Sequence, residues 1–213
     1  MERDLGDRPE LQHAADTLLA EIRRRMAGRS TPLVVALDGP SGAGKSSLAQ
    51  LISAELGAAL IPSDDFFAAN LTDAEWEART PAARAADAID WRRLRAEALE
   101  PLLAGRPARW HAFDFEAGQR SDGTYPMRAE TTRRESAAVI VLDGAYCTRP
   151  ELADLIDLSV LVDAPADVRR QRLAAREDAQ FLAAWHARWD AAEAFYFAQV
   201  RPRAAFDLVI TTG

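Results

Sequence analysis

The sequence predicts an α/β fold, a five-stranded parallel sheet with helices on both faces, and three observations carry that prediction. Short apolar runs at Leu33 to Leu37, Ala58 to Pro62, Val139 to Leu142, Leu158 to Val162 and Asp207 to Thr211 read as buried strands. Helical patterns separate them, as parallel strands joined by crossovers require. Directly after the first run stands GPSGAGKS, Gly39 to Ser46, which fits G-x-x-x-x-G-K-[ST] at each fixed position.

The third observation also sets the chemistry. A triphosphate presents several negative charges at close range, so its site needs inward-facing N–H groups, a thin chain and a mobile cation. Gly39, Gly42 and Gly44 let the backbone approach phosphate oxygens, and the helix from about Lys45 to Leu56 points its N-terminus at them. Lys45 is expected to reach the β- and γ-phosphates, and Ser46 to offer its hydroxyl to Mg²⁺. The expected nucleotide-binding set is Gly39, Pro40, Ser41, Gly42, Ala43, Gly44, Lys45, Ser46 and Ser47. A glycine-rich turn matching by chance is the alternative; the strand before and the helix after argue for a P-loop NTPase fold.

A chain of 213 residues, 48% hydrophobic and 28% charged, suits one large core, so residues 1–213 are expected to form a single domain. Its net charge of −7, from 26 Lys+Arg against 33 Asp+Glu, gives no reason to attract a polynucleotide or an anionic membrane. Cys147 is the sole cysteine, which excludes an intrachain disulfide. The start MERDLGDRPE has no signal-peptide character and no apolar run reaches membrane-spanning length, so a cytoplasmic protein is expected. Nothing in the sequence specifies an oligomeric state.

In chain order, Leu11, Leu18, Leu19, Ile22 and Met26 fall near helical spacing, predicting an amphipathic helix within residues 1–30 that ends near Gly28 and packs on the domain from outside. After the second strand, Ser63, Asp64 and Asp65 emerge at a carboxyl end, beside the phosphate loop, where ligands bind in open α/β sheets. Leu71 to Leu103 reads as helical, first around Trp76 and then from Ile89 through Trp91, Leu94, Ala98, Leu99 and Leu102, stopping at Gly105. Arg109 to Phe115 alternates weakly, as an edge strand or hairpin arm does, and Gly118 to Arg134 reads as a polar, mobile loop. Residues 71–134 would then form an insertion holding the second substrate. Asp167 to Arg176 and Gln180 to Val200 read as helices, with a lid expected over about 165–180.

Phosphoryl transfer asks a protein to position groups, neutralise charge and exclude water. Asp143 ends its strand where an acid can hold Mg²⁺, unless it is only a turn residue. Asp64 could accept the proton of an attacking hydroxyl, with Asp65 its immediate rival; in extended chain only one faces the crevice. Arg169, Arg172 and Arg176 share a helix face, with Arg170 about 100° away, which suits either a phosphate-clamping lid or a solvated surface. Phe181, Trp185, Trp189 and Tyr196 read as core packing rather than a base-stacking platform. His13, His111 and His186 lack zinc-site spacing, and Cys147 reads as structural.

From Leu33 to Thr211 the chain resembles the uridine kinase and nicotinamide riboside kinase group of P-loop kinases. GPSGAGKSS is similar to the group's loop, SDDFF (Ser63 to Phe67) to its D-[SD]-F-[FY] block, and DAIDW (Asp87 to Trp91) to its D-A-F-D-W. FDF (Phe113 to Phe115) resembles its Y-D-[YF]. LDG (Leu142 to Gly144) stands where the group has an acid near Mg²⁺, and DAPADVRRQRLAARED (Asp163 to Asp178) resembles its lid. The resemblance implies Asp64 as the base, a metal set of Ser46, Asp64 and Asp143, and Arg169, Arg172 and Arg176 facing the phosphates. On the acceptor side it points to Phe67, Arg84, Asp87, Phe113, Asp114 and Arg120. Two departures fall there. Arg84 stands where a uridine kinase has its ribose-binding aspartate, and Gly118 where it has a base-reading histidine.

The expected activity is transfer of the ATP γ-phosphate, with Mg²⁺, to a hydroxyl of a small molecule, a nucleoside first and another metabolite alcohol second. A regulatory NTPase or switch is the rival from another class. The absence of an N-K-x-D guanine-reading block and the size of the insertion argue against it.

Overall fold

The computed structural model describes residues 9–213, apart from the side chain of Phe181. The expected N-terminal helix is α1 (Pro9–Met26), which buries Leu11, Ala14, Ala15, Leu18, Leu19 and Ile22; residues 1–8 of that segment lie outside the described residues. Strand β1 (Leu33–Asp38) runs into the phosphate loop, helix α2 (Lys45–Leu56) and strand β2 (Ala59–Pro62). After the helical insertion come β5 (Val139–Asp143), β6 (Leu158–Asp163), α7 (Ala166–Ala174), α8 (Ala179–Phe195) and β7 (Leu208–Thr211). Strands β3 (Ala108–Phe113) and β4 (Met127–Arg134) form a separate two-stranded sheet within the insertion.

The main sheet has five strands in the order β2-β5-β1-β6-β7, all parallel. Alternation along β1 divides the core. Leu33, Val35 and Leu37 pack with Val139, Val141, Val160 and the buried faces of α1 and α2. Val34 and Ala36 point the other way, with Ile140 and Leu142, toward the insertion and α8. A one-residue slip of β1 would exchange these sets, and each buried Val or Leu contributes roughly 1.5–3 kcal/mol, so the register is strongly specified. Pairing of Leu37 and Pro62 with Asp143, and of Asp38 with Leu161, brings the carboxyl ends to one edge, where the loop crosses.

The insertion departs from expectation in two ways. Leu71 to Leu103 is a series of short helices: α3 (Asp73–Ala78), α4 (Pro81–Asp87), α5 (Trp91–Arg93) and α6 (Glu100–Leu103), with Leu94–Leu99 in π spacing before Pro101. Local caps make the breaks. Thr72 and Glu75 form a capping box, Thr80 accepts from Ala83 N ahead of Pro81, and Asp90 accepts from Arg93 N. Secondly, the end of the expected loop, Met127–Arg134, is a strand paired antiparallel with β3. Among the described residues no helix is long and apolar enough to cross a membrane.

Candidate active site

The phosphate loop is shaped by close backbone approach. Gly39 has φ 152°, and a Cβ there would stand 2.0 Å from the Val162 carbonyl oxygen. Gly42, at φ 79°, would bring a Cβ within 2.7 Å of the Arg169 carbonyl oxygen. Any side chain at either position would force the loop away from β6 or α7. Gly44 caps α2 in a left-handed conformation, directing the helix N-terminus at the loop's interior. The Lys45 ammonium donates to the carbonyls of Gly39 at 2.7 Å and Pro40 at 3.1 Å.

Facing the loop, Asp143 is 6% exposed and its Oδ1 has no hydrogen-bond partner. Burial pushes its carboxyl up to about 6, while Lys45 and a hydrogen bond from Ser46 pull the other way and Asp64 and Asp38 add to the rise. An orphaned carboxylate oxygen beside a serine hydroxyl, at a loop suited to phosphate, fits a hard cation with oxygen ligands. Ser46 and Asp143 are the residues that would hold Mg²⁺, with Asp64 close by at the end of the neighbouring strand.

The acidic pair separates as the sequence requires, through a 3₁₀ turn, Ser63–Phe66, rather than an extended strand end. Asp65 turns under the β3–β4 sheet and accepts from Trp110 Nε1 at 2.7 Å. Asp64 keeps accessible surface toward the crevice, yet protein surrounds it closely enough that lost hydration raises its carboxyl; Lys45 and Arg176 oppose that rise and Asp65 adds to it. Gly144 makes room: a Cβ there would meet the Ser63 hydroxyl at 2.0 Å and Asp64 Oδ1 at 3.4 Å.

A cavity of about 540 Å³ lies behind the loop, and another of about 480 Å³ lies in front of it. The front cavity gathers Ser41, Gly42, Gly44, Lys45, Ser46, Ser47, Asp64, Gly144, Arg172, Arg176 and Trp185. This cavity joins the loop's α2 end to the Asp64 carboxylate, whereas the one behind the loop meets it at Pro40 and Ser41. The arginines of α7 and of the turn after it divide. Arg176 lines the front cavity and lies near enough to Asp64 to lower its carboxyl. Arg172 also lines it, but donates to Gly42 O, Thr212 Oγ1 and Thr212 O. Arg169 lies behind the loop, donating to Ser41 O at 3.2 Å and facing Glu193 at 3.7 Å, which differs from the expectation that it faces phosphate.

Arg84 requires correction. It is 8% exposed, and its guanidinium donates to the carbonyls of Trp76, Glu77 and Arg188, tying α3 to α8 rather than lining the front cavity as an acceptor-side residue. Asp87 pairs with Arg79 at 2.9 Å, Asp114 accepts from the N–H groups of Glu116 and Ala117, and Arg120 donates to Tyr125 O. These three brace their own segments and do not line the front cavity. Phe67 and Phe113, with centroids 5.1 Å apart, join an aromatic wall with Trp76, Phe115 and Trp189. Trp185 continues that wall into the cavity, 5.8 Å from Trp189. Cys147 is buried with its thiol toward Leu37 O, and burial raises it well above the usual range.

Sequence reasoning missed Asp38, Thr148 and Glu193, and it read Tyr196 as core packing without its hydroxyl bond to Asp38. An acid closing a wholly apolar strand was a visible signal for Asp38. Glu193 carries no local signal, because its partner Ser41 is 152 residues away.

With this geometry in view, comparison with known proteins gives the lineage. A search of curated protein sequences returns no match. Among solved structures, a protein described as a possible uridine kinase from Bacillus stearothermophilus is similar, with TM-score 0.69 and 20% identity over 94% of this chain and 99% of that one. A protein provisionally assigned as a fructose transport system kinase from a Silicibacter species follows at TM-score 0.63 and 22% identity, covering 92% and 98%. D-glycerate 3-kinase from Cryptococcus neoformans gives TM-score 0.54 and 15% identity, covering 93% and 88%. At these identities the likeness is one of fold. A family model described as an AAA domain matches residues 34–198, so the chain belongs to that family, in an α/β P-loop nucleotide-binding fold of kinase-like form.

Proposed function

We propose that this protein is a kinase that transfers the γ-phosphate of ATP to a hydroxyl group of a small molecule. The observation that carries this reading is the front cavity, where Asp64 stands opposite the phosphate loop with Lys45, Ser46 and Arg176 around it. A carboxylate beside the loop also serves an NTPase that activates water, so what favours an acceptor other than water is the cavity of about 480 Å³ that Asp64 and the loop both line.

The loop N–H groups and the N-terminus of α2 hold the phosphates, and Lys45 follows the migrating group as a point charge. Ser46 and Asp143 would hold Mg²⁺, which would supply charge neutralisation at the phosphates. Asp64 accepts the proton of the acceptor hydroxyl as its oxygen bonds to phosphorus and the bond to the departing ADP breaks. Its raised carboxyl favours that role, since a poorly hydrated carboxylate is the stronger base. Arg176 meets the charge spread over the transferring oxygens. Trp185, which lines the cavity in front of the buried Trp76 and Trp189, offers an aromatic face to a planar ring, which supports a nucleoside as the first class of acceptor and another metabolite alcohol as the second.

Steady-state ADP release from Mg·ATP, measured across a panel of nucleosides, sugars and vitamin-like alcohols, tests this. A kinase gives release that depends on an acceptor. Release at one rate whatever is added favours the switch.

A further inference from the structure

Two carboxylates hold the phosphate loop from behind, outside the front cavity. Asp38 is wholly buried and accepts from Gly39 N at 2.8 Å, Tyr146 N at 3.1 Å, Thr148 N at 3.0 Å, Thr148 Oγ1 at 2.7 Å and Tyr196 OH at 2.8 Å. Glu193 sits one helical turn before Tyr196, so both reach the loop from one face. Its Oε2 accepts from Ser41 N at 2.8 Å and Ser41 Oγ at 3.0 Å. Successive segments of the loop's entry are therefore pinned to the chain that follows the lid.

Electrostatics alone makes this arrangement unfavourable. A loop that receives a polyanion gains from donors and cations, and each carboxylate nearby opposes the incoming charge. Arg169 offsets Glu193 only in part, at 3.7 Å. What Glu193 supplies is geometry. A glycine-rich loop at positive φ has much conformational freedom to lose, and a second attachment at Ser41 removes that freedom before the nucleotide arrives. Because α8 continues from the lid, the attachment also links lid position to loop shape.

We infer that Glu193 is a positioning residue for the phosphate loop, acting through Ser41 while Asp38 fixes the neighbouring peptide; this rests on the nucleotide-binding reading above. Positioning and charge predict opposite signs. Glu193→Ala removes both the charge and the acceptor, whereas Glu193→Gln removes the charge and keeps an acceptor oxygen for the Ser41 N–H.

The test is the ATP Kd, by calorimetry with Mg²⁺ present, together with kcat and Tm for wild type, both variants and Tyr196→Phe. Positioning predicts about tenfold weaker ATP binding or more in Glu193→Ala, recovery of most of the loss in Glu193→Gln, and a smaller loss in Tyr196→Phe. Tighter ATP binding in both Glu193 variants would overturn the inference, as would a lowered Tm with Kd and kcat unchanged. If Glu193→Ala does not fold, Glu193→Gln decides: affinity near wild type supports positioning, and tighter binding overturns it. A wild type without ATP affinity overturns the nucleotide reading itself, a result distinct from a wild type that binds ATP no better than Glu193→Ala does.

Discussion

Trp110 Nε1 donates to Asp65 at 2.7 Å, and that bond leaves the adjacent Asp64 as the acid facing the phosphate loop. One member of the pair thus serves structure and the other is available for chemistry. Asp64→Asn keeps shape and loses basicity, so turnover should fall about 10²- to 10⁴-fold with little change in ATP affinity. Asp65→Asn keeps an acceptor for Trp110 and relieves a partly buried charge, so turnover should stay near wild type and stability should change by about 1 kcal/mol or less. Steady-state kinetics and thermal melts on both variants separate the roles; a larger turnover loss in Asp65→Asn would reverse them.

The lid arginines should differ in the same way. Arg176→Ala should lower turnover more than it weakens ATP binding, because its charge is needed once the transition state forms. Arg172→Ala should also loosen the residue after β7, since Arg172 is tied to Thr212. Arg170 is exposed, and Arg170→Ala should stay close to wild type. Equal, small effects across these variants would return the helix to a solvated surface.

Asp143 predicts how stability depends on pH. Its carboxyl is raised from 3.8 to about 6 in the folded protein, so the folded state holds the proton more tightly than the unfolded chain does. That contribution is fully present below the unfolded value and is lost as pH rises through about 6. Asp143→Asn mimics the protonated form and should stabilise the nucleotide-free protein by about 2–3 kcal/mol at pH near 7.5, with the gain shrinking toward pH 5. Denaturant unfolding at the two pH values checks this; a gain that grows on acidification would contradict it.

The acceptor prediction rests on Arg84 and Gly118. The Arg84 guanidinium is committed to backbone carbonyls, and Gly118 has no side chain to read a base. Failing to make designed hydrogen bonds costs specificity heavily, so uridine and cytidine should not be the preferred acceptors. Arg84→Ala should destabilise by about 2–4 kcal/mol by orphaning buried carbonyls, without changing the ranking of acceptors. Values of kcat/KM across a nucleoside and alcohol panel decide; uridine clearly best would sink the prediction.

Legibility followed the range of the interactions. The strands of the main sheet, the loop and α7 were readable because apolar runs and glycine spacing are local. Strand β4 was not, since most of its residues face solvent and its order comes from pairing with β3. The breaks within Leu71 to Leu103 had local signals in Thr72 with Glu75 and Thr80 with Pro81, which the general helical character of the stretch concealed. The placement of Lys45, Ser46 and Asp64 on one cavity, with Asp143 beside Ser46, followed from position relative to strand ends. The Arg84 attachment and the Glu193 contact to Ser41 bring together residues far apart in the chain, which periodicity does not encode.

The central claim is that phosphate leaves ATP for an acceptor hydroxyl rather than for water, with Lys45 guiding it. Phosphorus NMR of Mg·ATP with wild-type protein and the best acceptor from the panel follows the phosphate directly. The account predicts a phosphomonoester resonance growing in step with ADP, and its loss in Lys45→Ala with folding retained. Inorganic phosphate as the sole product, or near-normal turnover in Lys45→Ala, would contradict it.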